Sequence, residues 1–427
     1  MVDREEVLHC HKKAQGKTEI MPRVLVEKES DLSTYYTPGV SFVSEEIGKN
    51  SGSVYDYTTK SNTIAIISDC TRVLGLGNVG PLAGLPVMEG KAVLFKKFGG
   101  VDAVPICINT VSEEEIIALV KHISPTFGGI NIEDIESPKS LSISQRLSLD
   151  LDIPVFHDDR QGTAVVVLAA LVNALKLVGK GKKSKIIING AGSAGFGIAM
   201  QLVNSGFKNI IVFDKGGAIY SGRDLGMNPF KKEISEATNK AGYRGSIDEA
   251  ANGADVLIGA SSKGAFSKDM ISNMATKPIV FALANPYPEI GYEEAKDAGA
   301  FVVATGSSDQ PNQVNNLLAF PAIMRGLLDS RATKVTYKML HNAAMSMARG
   351  VGSRLSMEHI IPNPLENGFA TRIIPKIAAS VAESAVLEGL ARYNISYDDA
   401  KMRAAQMIER YRRMEKSSRR YLVGTHG

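Results

Sequence analysis

Ile186-Ile187-Ile188-Asn189-Gly190-Ala191-Gly192-Ser193-Ala194-Gly195 decides the fold of this chain. An apolar strand runs into a Gly-x-Gly-x-x-Gly loop, and the loop opens a helix that extends to about Asn204. In that setting the glycines have separate tasks. Gly190 permits the tight turn, Gly192 lets the backbone approach a pyrophosphate, and Gly195 lets helix and strand pack closely. The free N–H groups at the helix start, from Ser193 and Ala194 onward, and the positive end of its dipole then face the phosphates. Asp214 ends the next apolar run, Asn209–Asp214. An acid at that spacing accepts a hydrogen bond from an adenosine ribose 2′-OH. The expected cofactor is NAD, with NADP as the alternative. A 2′-phosphate would be set against the Asp214 carboxylate, while Lys215, Lys182, Lys183 and Arg223 offer positive charge that would partly offset the repulsion.

Working outward, the apolar runs Asp255–Ala260, Pro278–Ala284 and Phe301–Ala304 supply further strands of the same sheet. From Asn312 the pattern turns helical and ends in a charged amphipathic segment, Tyr397–Leu422. Upstream, a long helix runs from Gly162 to about Val178, followed by the basic, glycine-containing stretch Gly179–Lys185, the clearest break in the pattern. Before it, Thr63–Ile67, Ala92–Phe95, Ala103–Ile108 and Pro154–Phe156 read as short buried strands. The segments Ser112–His122 and Ser140–Leu149 read as helices between them, a parallel α/β pattern. The expected architecture is α/β: an N-terminal α/β catalytic domain at 1–160 and a Rossmann-type, doubly wound parallel-sheet domain at 161–390. A helical C-terminal segment follows at 391–427. Residues 1 to about 60 are mixed and polar, with one tight loop at Tyr35–Gly39.

Composition narrows the function classes. Basic and acidic residues number 49 and 45, too balanced for electrostatics alone to imply nucleic acid. Trp is absent and aromatics are 6%, which argues against a base-stacking or carbohydrate platform. The three cysteines, Cys10, Cys70 and Cys107, are no disulfide framework and point to a reducing compartment. No apolar core of a signal peptide follows Met1, and the longest apolar run, Ala164–Val172, is far short of the ~20 residues of a membrane span. A cytoplasmic protein with neither nucleic-acid nor membrane partner is expected.

The second constellation is acidic. Glu133-Asp134 follows Phe127-Gly128-Gly129-Ile130-Asn131-Ile132, and Asp158-Asp159 follows Pro154-Val155-Phe156-His157. Carboxylates at the carboxyl ends of parallel strands point into the crevice where such sheets bind ligands. Several converging carboxylates do not all stay ionised without a cation, and hard ions such as Mg²⁺ or Mn²⁺ prefer oxygen donors. The same aspartates would also serve as helix N-caps, and spacing alone does not separate the two readings. Tyr36, in its Pro-Gly loop, and Lys91, at the start of the Ala92–Phe95 run, could each be an ordinary exposed side chain. His9-Cys10-His11 carries ligand-type atoms, but neighbouring residues do not readily close one tetrahedral site.

Taken together these strings resemble the malic enzymes, specifically the small bacterial and archaeal form, over roughly residues 15–390. Tyr36-Thr37-Pro38-Gly39-Val40 is similar to the family's tyrosine loop, and Arg72-Val73-Leu74-Gly75-Leu76-Gly77-Asn78 to its arginine-bearing glycine segment. Lys91 stands in a string like the family's lysine strand. Glu133-Asp134 and the run from His157 to Ala164 resemble its acidic motifs, and Asn285-Pro286 and Asn315-Asn316 its asparagine motifs.

The resemblance implies metal-dependent oxidative decarboxylation of (S)-malate to pyruvate and CO₂, with malate as the small-molecule partner and a homodimer as the assembly. It implies Glu133, Asp134 and Asp159 as metal ligands for Mg²⁺ or Mn²⁺. Arg72, Lys91, Asn285 and Asn316 would contact substrate, with Asn285 also at the cofactor. Tyr36 and Lys91 would be the acid–base pair, supported by Asp158. Such a lysine, beside a metal and another cation, is expected to have a depressed pKa suited to taking the hydroxyl proton. The chain departs from the family's usual pattern at Ser307 and Gln310, where an Arg and an aromatic are common, and at Arg160, which replaces a Gln. Two rival readings stay open: a malolactic-type lyase that keeps its NAD bound, and a dinucleotide-binding protein without catalysis. Net NADH release from malate separates the first, and absence of malate turnover with Mn²⁺ would favour the second.

Overall fold

The computed structural model describes residues 3–73 and 75–417. Its first sheet has four parallel strands in the order β2-β1-β3-β4: β1 (Thr63–Ser68), β2 (Asp102–Cys107), β3 (Gly129–Ile132) and β4 (Val155–His157). All residues of β1, β3 and β4 are buried, as expected of strands covered on both faces. The register pairs Ile67 with Ile132 and Ile132 with His157, so these three strands end side by side.

One expected strand of this half is a helix. Ala92–Phe95 lies inside the helix Gly80–Gly99. Its buried residues, Gly84, Met88, Ala92, Phe95 and Phe98, recur every three or four positions, the spacing of a helix face. Pro81, Gly84, Pro86 and Gly90 read locally as breakers, but packing outweighs their low helix propensity. The N-terminal region, expected as a polar stretch with one loop, is largely helical, and its three longest helices are Arg4–Ala14, Glu29–Tyr35 and Gly39–Lys49. None of them has a buried residue.

The second sheet has the order β10-β9-β8-β5-β6-β7, with β5 (Ile186–Asn189), β6 (Ile210–Asp214), β7 (Gly217–Ala218), β8 (Val256–Gly259), β9 (Ile279–Ala282) and β10 (Val302–Thr305). Only the short β7 runs antiparallel. Strand order reverses between β5 and β8, which opens a crevice above their carboxyl ends, the place where such sheets hold ligands.

A single helix, Thr163–Val178, links the two halves. By length and composition the 21 residues Asp158–Val178 would suffice for a membrane crossing. They are instead mostly buried, packed against the helices Ser193–Asn204 and Tyr337–Val351. Val165, Val167, Leu168 and Leu171 are wholly buried there, each contributing about 1.5–3 kcal/mol relative to exposure. The helices Phe320–Asp329, Tyr337–Val351 and Ile374–Leu387 complete the core, and the helix Tyr397–Ser417 lies across it. The Tyr397–Leu422 segment is therefore helical as expected to Ser417, and its remainder lies outside the described residues. Arg325 fastens this region to the first sheet. It grips Asp329 through Nε and Nη2 at 3.0 and 2.8 Å, donates to Asn62 Oδ1, and Asp329 also pairs with Arg403 of the last helix.

Candidate active site

The ends of β3 and β4 bring the acidic strings together. Glu133, Asp134 and Asp159 place carboxylate oxygens within 4.8 Å of one another. Asn131 Nδ2 orients Glu133 by donating to Oε2 at 2.9 Å, and the Asp134 N–H donates to Asp159 Oδ2 at 3.1 Å. Asp134 takes a left-handed backbone with φ 48°, a conformation Asp tolerates better than most residues. Its carbonyl accepts from the Arg72 N–H at 3.0 Å, which ties the arginine-bearing loop to the acidic cluster. The Arg72 side chain is exposed.

Asp158–Gly162 forms one π-helical turn ahead of the long helix, a local widening often found at functional sites. Gly162 is there by necessity: a Cβ would lie 1.9 Å from Asp158 Oδ1 and 3.3 Å from Asn316 Cβ. Asn316 thus lies against the same turn. Lys91, on the helix Gly80–Gly99, sends its ammonium between Glu133 Oε1 and Asp158 Oδ2 and over the Phe320 ring, 4.5 Å from the centroid.

Charge in this cluster is strongly biased. Burial alone would lower the pKa of Lys91, but Asp158 and Glu133 outweigh it and hold the ammonium well above its ordinary value. The depressed pKa expected for Lys91 is therefore not found in the protein alone, because two carboxylates clasp it. Burial and then Glu133 push Asp134 up to about 8 and Asp159 up to about 7. Burial likewise pushes Asp158 up to about 8 against the pull of Lys91, and its buried Oδ1 has no hydrogen-bond partner. Hard oxygen donors, convergence within ion-binding reach and carboxyls reluctant to ionise together are the traits of a divalent-metal site, so these residues fit the expected ion. The alternative role for the aspartates, as helix N-caps, finds no hydrogen bond at this turn.

In the second half the glycine loop is tightly packed at two of its three glycines. A Cβ on Gly190, φ 121°, would strike the Ala260 carbonyl at 2.2 Å, and one on Gly195 would strike the Gly190 carbonyl at 1.9 Å. Gly192 has nothing within 4 Å, which leaves its face open for a pyrophosphate. Ser193 Oγ lies 3.1 Å from Ser140 Oγ, so the start of the cofactor helix, with Ala194 next in line, touches the helix Lys139–Asp150 of the first half.

Asn285 precedes a cis bond to Pro286 and packs against Gly306. Pro286 in turn lies against Gly75, so the arginine-bearing loop meets the asparagine loop across the two halves. Ser307 turns back to Asp309, its Oγ donating to Oδ1 at 2.5 Å.

Three residues central to this arrangement escaped the sequence reading. Glu289, buried, accepts from Ser261 N at 2.7 Å, Ser261 Oγ at 3.1 Å and Ala284 N at 3.0 Å. Ser261 Oγ accepts from Asn189 at 3.2 Å, so one carboxylate links the strand ends that carry Gly190 and Asn285. Lys231 pairs with Asp214 at 2.6 Å, and Asn131 orients Glu133.

Asp214 was expected to be free for a ribose. Its side chain is 9% exposed, accepts from Gly216 N at 2.8 Å, and pairs with Arg223 at 2.8 Å as well as with Lys231. Arg223 spends its other donors on the carbonyls of Gly217, Ala218 and Leu225. Lys182, another expected cation, reaches Gly206 beyond the far end of the cofactor helix.

Tyr36 is not drawn into the cluster. It is 69% exposed, and its hydroxyl has no hydrogen-bond partner among the described residues.

Two family models match this chain: the malic enzyme NAD binding domain over residues 160–386 and the malic enzyme N-terminal domain over residues 15–148. The chain is 49% identical over 398 residues to a bifunctional malic/malolactic enzyme of Bacillus subtilis, covering 93% of this chain and 96% of that one. It is 46% identical over 392 residues to an NAD-dependent malic enzyme of Geobacillus stearothermophilus, covering 91% and 80%. A crystal structure of malic enzyme from Pyrococcus horikoshii superposes with a TM-score of 0.93 at 46% identity, over 98% of this chain and all of that one.

Proposed function

Because the chain belongs to the malic enzyme family and oxidatively decarboxylates malate to pyruvate and CO₂ with reduction of NAD or NADP, we propose how its residues divide that work. The carrying observation is the convergence of Glu133, Asp134 and Asp159 beside Lys91. Those three carboxylates hold a divalent ion, Mg²⁺ or Mn²⁺. When bound, the ion supplies Lewis acidity that draws in the electrons released as CO₂ departs.

Arg72, Asn285 and Asn316, together with Lys91, hold the malate carboxylates. The meeting of Gly75 with Pro286 and of Asn316 with Gly162 supports that grouping. Lys91 takes the hydroxyl proton as hydride leaves for the nicotinamide. Engaging Glu133 with a cation would leave Lys91 only Asp158 as a partner and add a positive neighbour, and both changes lower its pKa toward a base. Asp158 fixes the ammonium's position. Tyr36 returns a proton to carbon in the enolpyruvate, a role that rests on the resemblance of its loop.

NAD is proposed over NADP on the name of the NAD-dependent Geobacillus stearothermophilus relative rather than on Asp214, whose carboxylate is already engaged. Asp214 still ends β6, but two cations offset its charge, so a 2′-phosphate meets little repulsion. The homodimer is supported by the N-terminal helices, whose apolar side chains lie open, Leu32 at 52% and Phe42 at 67% exposure. Three free cysteines fit a cytoplasmic location.

The test follows reduced cofactor and pyruvate from malate with NAD or NADP, with and without Mn²⁺. Turnover should require the metal, Asp159→Ala should abolish both turnover and Mn²⁺ binding, and Lys91→Ala should lower kcat by about 10²–10⁴. Full activity in excess EDTA would reject the metal reading. Pyruvate should accompany NADH one for one. Lactate formed without net NADH would instead support the second reading, malolactic chemistry, which the name of the Bacillus subtilis relative favours.

A further inference from the structure

Away from the carboxylates, the C-terminal helices enclose a cavity of about 260 Å³ whose walls carry Arg349, Arg372 and Lys376, with Ser346 and Tyr397 between them. Arg349 comes from the helix Tyr337–Val351, Arg372 from the π-turn Phe369–Ile373, Lys376 from the helix Ile374–Leu387 and Tyr397 from the start of the last helix. No acidic side chain lines the cavity. Among the described residues, none of these three cations makes an ion pair or donates a side-chain hydrogen bond, whereas nearby Arg354 is held by Glu366 through two bonds of 2.7 Å.

Arg349, Arg372 and Lys376 are exposed, and three cations around one cavity repel each other unless an anion lies between them. Ser346 is largely buried, and among the described residues its hydroxyl makes no hydrogen bond. Gly368, whose φ of 89° itself favours glycine, lies beside the Arg372 guanidinium. Arginine forks, an ammonium and two hydroxyls converging on a concave site form the donor set that a tetrahedral oxyanion takes up.

We propose that this cavity is a binding site, separate from the active site, for the phosphate group of a small anionic metabolite. Its wall is joined to the catalytic half: Asn173, on the helix that starts from the Asp158–Gly162 turn, donates to the carbonyls of Ala348 and Ile360 at 3.0 and 2.8 Å.

Inorganic pyrophosphate is the probe, titrated into the full-length protein by calorimetry and by ³¹P line broadening. EDTA is present to keep metal away, and saturating NADH occupies the dinucleotide's phosphate seat. One pyrophosphate per chain should bind, more weakly as salt rises. Arg372→Ala and Arg349→Ala should each weaken binding about tenfold, the loss of one charge-assisted hydrogen bond, and Lys208→Ala should not. These side chains carry no internal bonds, so thermal unfolding should be unchanged. Lys376→Gln, the mildest change, should also weaken binding and serves if either arginine variant fails to fold. Absence of binding, or equal binding by the pocket variants and the wild type, overturns the proposal.

Discussion

Lys91 stands between Glu133 and Asp158, and neighbouring Asp134 and Asp159 hold protons more tightly than isolated aspartates do. Protons and a divalent cation therefore compete for the same oxygens. Raising the pH through about 7 for Asp159 and about 8 for Asp134 removes the competing protons, so metal affinity should rise with pH. Mn²⁺ should bind at least about tenfold more tightly at pH 8 than at pH 6, measured by electron paramagnetic resonance, and a flat profile would refute this assignment. At the cofactor end, Lys231 is the more exposed of the two cations on Asp214. Lys231→Ala should remove one of the two positive charges on Asp214, leaving that pair with Arg223 neutral, and raise the kcat/KM ratio of NAD over NADP by about fivefold, since one partly exposed pair is worth ~1 kcal/mol. No change in the ratio would remove Lys231 from cofactor selection. Consecutive carboxylates at strand ends made Glu133, Asp134, Asp158 and Asp159 legible from sequence. Glu289 and Lys231 were not legible, because their partners are met through tertiary packing and no local spacing marks them.

Among the elements, the π-turn Asp158–Gly162 carries the sharpest constraint. Gly162→Ala must push the Asp158 carboxylate aside, and with it the partner that fixes Lys91. The expected result is a kcat lowered about 10²-fold, from misplacement of roughly an ångström, with Mn²⁺ affinity nearly kept. An unchanged kcat, or a loss of Mn²⁺ binding as large as the loss of turnover, would contradict that chain of contacts. The strands of both sheets were legible as short apolar runs, and β5 with its glycine loop most plainly so. The helix Gly80–Gly99 was misread because its glycines and prolines break the local signal, while its face is fixed by contacts with β2 and the helix Phe320–Asp329. The N-terminal helices were missed for the opposite reason: with nothing buried, they have no apolar stripe turned toward a core of this chain.

For the whole molecule, those same open helices predict association. Sedimentation should give a dimer, and Phe42→Arg should shift it toward monomer while cofactor binding persists. A dimer unaffected by Phe42→Arg would place the interface elsewhere. Tyr36 lies on the same arm, so the variant should also lose turnover if the tyrosine acts from a covered position. The helix Thr163–Val178 has a consequence of another kind. It begins at the turn bearing Asp158 and Asp159 and packs on the helix that opens with Gly192-Ser193. The proposed metal seat and the proposed pyrophosphate seat are thus two marks on one ruler. Evolution could not graft a foreign nucleotide module onto this front half at the Gly179–Lys185 break without recutting that ruler. Chimeras joined there should transfer no hydride, because the donor carbon and the nicotinamide would no longer be held at the same gauge, and should also lose stability, because the helix Phe320–Asp329 that packs on the front half comes from beyond the break.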